Sequence, residues 1–229
     1  MNNDTSTPAP LNWSIPFFTI WTGQALSLFG SALVQFALVW WLTQETGSAT
    51  VLATATLAAL LPQIIFGSFI GALVDRWNRR LIMIAADTGI ALATAGLFYL
   101  FATNQVQVWH IYVIVLVRSL GAAFHQPAMT ASTSLMVPNK HLAQVAGANQ
   151  LLQGLIGIAA PPLGALLIEV LSTENVLLID IGTAIFAILP LLFIHVPQPA
   201  RDALQKKSSY WEDLREAFAM SYGGADCWV

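Results

Sequence analysis

The sequence predicts an all-α membrane protein of six transmembrane helices, and three observations carry that reading. Charged residues make up 9% of the 229-residue chain and hydrophobic residues 56%, whereas soluble domains carry roughly 25% charge. Positions 5–44, 46–74, 88–117, 141–168 and 181–200 hold no Asp, Glu, Lys or Arg, and each run reaches the ~20 residues that a helix needs to cross the hydrocarbon core. Short segments of turn-forming residues separate the spans. The expected organisation is a polar tail over 1–14, a six-helix bundle over 15–195 and a second tail over 196–229.

Helix 1 is expected over 15–42, ending at Gln44-Glu45-Thr46-Gly47-Ser48. It carries Gln24, Ser27, Ser31 and Gln35. At 100° per residue, steps of seven and eleven return to within ~20° of the start, so Gln24, Ser31 and Gln35 share one face. Such a face lines a water-filled substrate path or bonds to a packed neighbour. Helix 2, over 50–74, runs into Gly71-Ala72-Leu73-Val74-Asp75-Arg76-Trp77-Asn78-Arg79-Arg80. Helix 3, over 81–102, holds Asp87 about six residues in and ends at Thr103-Asn104-Gln105. A buried carboxylate favours its neutral form, so Asp87 is a candidate proton carrier or a structural group.

Helix 4, over 109–130, contains Arg118 in Val113-Ile114-Val115-Leu116-Val117-Arg118. A mid-membrane arginine costs ~2.5–3.5 kcal/mol on insertion scales, so it faces a polar cavity or a carboxylate partner. After Val137-Pro138-Asn139-Lys140, helix 5 is expected over 142–171, rich in small residues and bent at Pro161. Helix 6 follows Ser172-Thr173-Glu174-Asn175 and spans 175–195. Glu169 and Asp180, near the ends of helices 5 and 6, read first as hydrated or helix-terminal groups, with a coupling-proton role as the alternative. The ends of helix 2 (Gly71-Ala72-Leu73-Val74-Asp75) and helix 5 (Gly164-Ala165-Leu166-Leu167-Ile168-Glu169) are alike, as in two inverted three-helix repeats. In the second tail, Ser209 and Glu212 form a capping box for an amphipathic helix over 209–220.

Orientation follows from Lys and Arg, which resist translocation near span ends. With the N-terminus inside, the inner loops and tail hold Arg76, Arg79, Arg80, Lys140, Arg201, Lys206, Lys207 and Arg215, and the outer loops hold none. Both termini are therefore expected in the cytoplasm, in a bacterial-type plasma membrane. Met1–Pro10 is polar, carries Asp4 and lacks the basic start of a cleaved signal. The single cysteine, Cys227, excludes an internal disulfide framework.

The decapeptide after helix 2 resembles the loop between helices 2 and 3 of the major facilitator superfamily, roughly G-x-L-x-D-R-x-G-R-R/K. Gly71, Leu73, Asp75, Arg76, Arg79 and Arg80 match, and Asn78 replaces the family glycine. The resemblance implies a gating role for this loop. Arg118 falls where many facilitator antiporters place an arginine within R-x-x-x-G, although Gly121 comes one position early. By that likeness Arg118 and Asp87 are candidates for proton coupling. Helix 5 is similar to the antiporter motif G-x8-G-x3-G-P-x2-G-G: Gly147, Pro161 and Gly164 match, while Ile156, Ala160 and Ala165 replace glycines. Residues from Arg118 through Met129, with Val137-Pro138 and Ala148-Asn149-Gln150, look like the macrolide-efflux-like branch. Gln24, Ser31, Gln35, Asn149 and Gln150 are then the candidate substrate cavity.

The resemblance implies a secondary active exporter of small amphipathic compounds such as drugs, working by alternating access. A proton gradient is the implied energy source, with no cofactor. No phosphate-binding loop appears, and His110, His125, His141 and His195 show no metal-ligand spacing, so neither ATP use, an enzyme nor a nucleic-acid partner is expected. His125 reads as a packing or cavity residue, with a proton-relay role as its alternative. Facilitators of this kind carry two six-helix halves with the substrate site between them, and this sequence contains one. A truncated, non-transporting fragment and a half-size unit acting as a dimer are both alternatives, so a C-terminal half or a second copy is an implied partner. The topology is checked by single-cysteine labelling in a background lacking Cys227. A cysteine at position 78 is expected to label only from the cytoplasm, and outside-only labelling would reverse the orientation.

Overall fold

The computed structural model describes residues 13–194 and 196–198. The expected helix over 209–220 and most of the expected N-terminal tail lie outside the described residues. Six helices run in order: α1 Ser14–Thr46, α2 Ala49–Arg76, α3 Arg79–Ala102, α4 Val108–Met136, α5 Asn139–Val170 and α6 Thr173–Phe193. All six are long and apolar enough to cross a membrane.

Local chemistry sets the boundaries. Gly47, with φ 57°, closes α1 in the left-handed region that suits glycine, and its N–H reaches the Thr43 carbonyl at 3.0 Å. The Asn78 side chain accepts from Leu81 N at 3.3 Å and starts α3. His110 Nδ1 accepts from Gln107 N at 3.0 Å across the first turn of α4. Pro138 forces the residue before it out of helical geometry, separating α4 from α5.

Two helices outrun their expected spans. Helix α1 continues four residues beyond position 42, and α4 six beyond position 130. The extra turns are polar but helical, because their hydroxyls bond to carbonyls one turn back: Thr46 to Leu42 at 2.7 Å, Ser132 to Ala128 at 2.7 Å and Thr133 to Met129 at 2.9 Å. Hydrophobicity marks the hydrocarbon thickness, whereas hydrogen bonding marks the helix. At 1.5 Å per residue the 33-residue α1 is about 50 Å long, longer than a ~30 Å hydrocarbon core.

The packing follows an internal two-fold plan. Helix α1 lies mainly against α6 and α5, while α4 lies mainly against α3 and α2. Helices α3 and α6 pack on each other. Exchanging α1 with α4, α2 with α5 and α3 with α6 maps this set of neighbours onto itself, as two inverted three-helix repeats require. Close approaches obey the same exchange. A Cβ at Gly30 of α1 would lie 3.3 Å from the Asp180 Cα of α6, and one at Gly121 of α4 would lie 2.8 Å from Ile90 of α3. The likeness between the ends of α2 and α5 does not extend to packing. Gly164 is pressed against the Phe36 ring, whereas a Cβ at Gly71 would meet nothing within 4 Å.

Two apolar clusters plug the ends of the bundle. One gathers Phe17, Ile20, Val74, Met83, Met136 and Leu191 near the basic loop. The other gathers Leu33, Leu38, Leu97, Ile111, Val176 and Leu177 toward the opposite end. Buried Gln24 and Ser27 of α1, Asp87 and Thr94 of α3, Arg118 and His125 of α4 and Asp180 of α6 lie between these two sets along each helix. The tightest approach of a glycine to neighbouring backbone predicts a stability effect. A Cβ at Gly23 would stand 2.6 Å from the Phe186 carbonyl oxygen, a backbone atom that cannot swing aside. Gly23→Ala is expected to destabilise the bundle by about 1–3 kcal/mol. Gly96→Ala, with open space around the new methyl, should be neutral or slightly stabilising. Thermal unfolding in detergent compares the two.

Candidate functional site

The buried polar band consists of two carboxylates, each held by one group from α1 and one from α4. Asp180 of α6 is 1% exposed. Its Oδ1 accepts from Ser31 Oγ of α1 at 2.9 Å, and its Oδ2 accepts from Arg118 Nη1 of α4 at 2.5 Å. Thr94 of α3 completes this layer: its hydroxyl donates to Asp180 Oδ2 at 2.9 Å and accepts from Arg118. Asp87 of α3 is 5% exposed. Its Oδ2 accepts from Gln24 Nε2 of α1 at 2.9 Å, and its Oδ1 stands 3.4 Å from His125 Nε2 of α4.

Spacing alone builds both layers. Gln24 and Ser31 are seven residues apart on α1, as are Arg118 and His125 on α4. Seven residues make nearly two full turns, so each helix presents both of its groups on one face. The exchange that relates the helices also relates the layers. Gln24 of α1 reaching Asp87 of α3 corresponds to Arg118 of α4 reaching Asp180 of α6. Ser31 reaching Asp180 corresponds to His125 reaching Asp87.

Two adjoining cavities open on this band. The first, of about 260 Å³, is lined by Gln24, Ser31, Gln35, Gln63, Arg118 and His125, with Asp87 at its wall. The second, of about 200 Å³, shares Gln24, His125 and Gln126 with it and extends to Trp21, Asn149 and Gln150. Trp21 Nε1 donates to Asn149 Oδ1 at 2.6 Å and ties α1 to α5 there. The exposed lining is mostly amide and apolar surface, suited to an amphipathic molecule held by shape and a few hydrogen bonds. Both carboxylates are already engaged by protein groups.

The structure thus brings Gln24, Ser31, Gln35, Asp87 and Arg118 to one cavity, and Asn149 and Gln150 to its neighbour. The motif between α2 and α3 lies at the basic end instead. Asp75 is exposed and 3.6 Å from Arg79. Arg79 is buried and donates to the Ala131 carbonyl of α4 at 2.7 Å. Arg80 donates to the carbonyls of Leu191 and Leu192 in the last turn of α6, the latter at 2.5 Å. Those carbonyls lie in the last turn of the helix, where a cation complements the helix dipole. Arg79 and Arg80 therefore clamp α3 to α4 and α6, beyond the topogenic role that their charge implies. Arg76 and Leu73 sit on the same helix end, Arg76 exposed and Leu73 partly buried. On α5, Gly147 faces open space, Pro161 is exposed and Gly164 packs on α1. None of the three lines either cavity.

Sequence reasoning ranked Asp180 as a hydrated or helix-terminal group ahead of a coupling one, whereas it is buried, and it read His125 as a packing or cavity residue, where the structure places it. Thr94, Gln63 and Gln126 were not singled out. The usable signal for Asp180 was the need of Arg118 for a carboxylate partner in an otherwise uncharged helix 6. For His125 it was the seven-residue spacing from Arg118.

A sequence profile described as Major Facilitator Superfamily matches residues 20–223. This chain belongs to the major facilitator superfamily. It is 38% identical over 209 residues to macrolide efflux protein A of Streptococcus pyogenes, covering 91% of this chain and 52% of that protein. Macrolide efflux protein A of Enterococcus faecalis is 35% identical over 174 residues, covering 76% of this chain and 54% of that protein. Multidrug efflux pump Tap of Mycolicibacterium fortuitum is 26% identical over 170 residues, 71% of this chain and 41% of the pump. The chain spans about half the length of the curated relatives it matches. No solved structure gives a significant match. The fold is that of a facilitator half in a multi-pass membrane protein, and the macrolide-efflux-like branch expected from α4 and α5 is the one these relatives represent.

Proposed function

We propose that the chain forms one half of a proton-coupled exporter of small amphipathic compounds, macrolides and related drugs among them. The observation that carries this reading is the buried band of ionisable groups opening on an amide-lined cavity. A packed structural bundle has no need of two carboxylates, an arginine and a histidine between apolar plugs, because each costs free energy to bury. A transporter does, since protonation of such a group biases one of two orientations of its halves.

The orientation that fits the basic loops places both termini and the Arg79–Arg80 clamp at the cytoplasm of a bacterial-type inner membrane. Asp75, exposed beside that clamp, is free to meet a second unit when the inner side closes. Helices α2 and α5 bury least of their surface and present Leu57, Leu60 and Ile64, and Leu151, Leu155 and Ile158. These two helices are related by the internal repeat, and we assign to them the contact with a second six-helix unit that completes the cavity.

Efflux in an exporter-deficient bacterium tests the reading. Co-expression with the second half of the Streptococcus pyogenes relative is expected to lower macrolide accumulation, and a protonophore should restore it. Unchanged accumulation with both halves in the membrane would reject export. Efflux by this chain alone would instead make it a half-size unit acting as a pair of copies. Arg118→Ala is expected to abolish efflux while the protein still inserts in the membrane. Arg118→Lys should recover part of it, because an ammonium keeps the charge without the guanidinium fork.

A further inference from the structure

We propose that His125 and Asp87 together form the exchangeable-proton site, and that Arg118 and Asp180 form its fixed counterpart. The proposal rests on the proton-coupled reading above and assigns the proton to one of the two layers.

The internal repeat makes the two layers comparable, and the group that α4 gives to each separates them. In the Asp180 layer the cation is a guanidinium, charged at any accessible pH. Three donors meet that carboxylate: Ser31, Thr94 and Arg118. In the Asp87 layer the group that α4 contributes is instead an imidazole, the side chain whose charge changes near neutral pH. Asp87 has one neutral hydrogen-bond donor, Gln24. His125 Nε2 is buried, 3.4 Å from Asp87 Oδ1, and forms no hydrogen bond among the described residues. A proton bound at Nε2 supplies the donor that this gap lacks.

The charge balance points the same way. Arg118 and Asp180 cancel. With His125 neutral, Asp87 leaves the buried band with one net negative charge, and one proton on the pair brings it to zero. Among the described residues, the helices packed around the pair face it with neutral polar groups apart from the other layer. Helix α1 brings Gln24 and Ser27, α2 brings Gln63, and α5 brings Asn149 and Gln150. Only Arg118 and Asp180, in the other layer, carry charge there. His125 also lines both cavities, so a proton on Nε2 lies beside the space that a substrate would fill. The proton enters from one aqueous side and leaves to the other, and only an N–H or O–H bond is made and broken.

Histidine-selective isotope labelling and NMR of the purified chain in lipid nanodiscs test the site, with His125→Gln assigning the signal. In Asp87→Asn the proton affinity of His125 should fall by roughly tenfold or more, since an opposite charge has been removed from contact range. Asp87→Glu should keep most of it. Gln24→Ala should raise the affinity, because the carboxylate loses its other donor. These opposite signs separate coupling from general loosening, and circular dichroism reports whether each variant remains helical. A titration of His125 unaltered in both Asp87→Asn and Gln24→Ala would overturn the proposal. In the co-expressed form, His125→Gln should abolish gradient-driven efflux while gradient-free exchange of labelled macrolide persists. Gradient-driven efflux in that variant would overturn the site and leave coupled export standing. A coupled His125 titration in a protein whose efflux ignores the proton gradient would overturn that reading and leave the site.

Discussion

The contact between Arg118 and Asp180 is the constraint on which the rest of the bundle is arranged. A guanidinium in the middle of a hydrocarbon-spanning helix is tolerated only beside a partner or water. Here the partner lies on α6, 62 residues away in sequence. Pairing them fixes the register of α4 against α3 and α6, since Thr94 of α3 joins the same cluster. It also fixes the rotation of α1, whose Ser31 must face Asp180. Four helices are thereby keyed to one buried ion pair, and the apolar plugs at either end shield it.

The internal repeat explains why a second, similar cluster lies near the first. Helices α1 and α4 occupy equivalent places and each carries two polar groups seven residues apart. Each of α3 and α6 supplies one carboxylate to this band. The two layers share a plan and differ in strength. One is closed by three donors, a permanent cation among them, the other by an amide and an imidazole whose Nε2 has no hydrogen bond among the described residues. A closed layer and a less saturated one thus share the same scaffold. The clamp made by Arg79 and Arg80 belongs to the fixed part, because it ties the ends of α4 and α6 to α3.

Most of the fold was legible in the sequence because the membrane imposes a simple rule on composition. Uncharged runs separated by turn formers located all six helices. Their ends were less legible, since the hydroxyl-rich last turns of α1 and α4 satisfy their own hydrogen bonds beyond the hydrocarbon. Single positions with unusual chemistry, Arg118 and the stripe through Gln24, Ser31 and Gln35, pointed to the cavity. The partnership of Arg118 was hidden for a geometric reason. Asp180 is near the start of its helix in sequence, yet α1, α3 and α4 enclose it completely. The distinct packing of Gly71 and Gly164 shows the limit of short sequence likenesses, because similar pentapeptides met different neighbours. The arginine clamp was hidden because a basic loop is already accounted for by topology.

A double-mutant cycle on Arg118 and Asp180, read by unfolding of the purified chain in mixed micelles, tests this account most directly. Arg118→Met and Asp180→Asn each leave a buried group without its partner, and each is expected to cost about 3–5 kcal/mol. The double variant should cost clearly less than the sum, because removing both partners leaves no buried charge uncompensated. Additive losses, or single variants as stable as the parent, would contradict the claim that this pair organises the bundle.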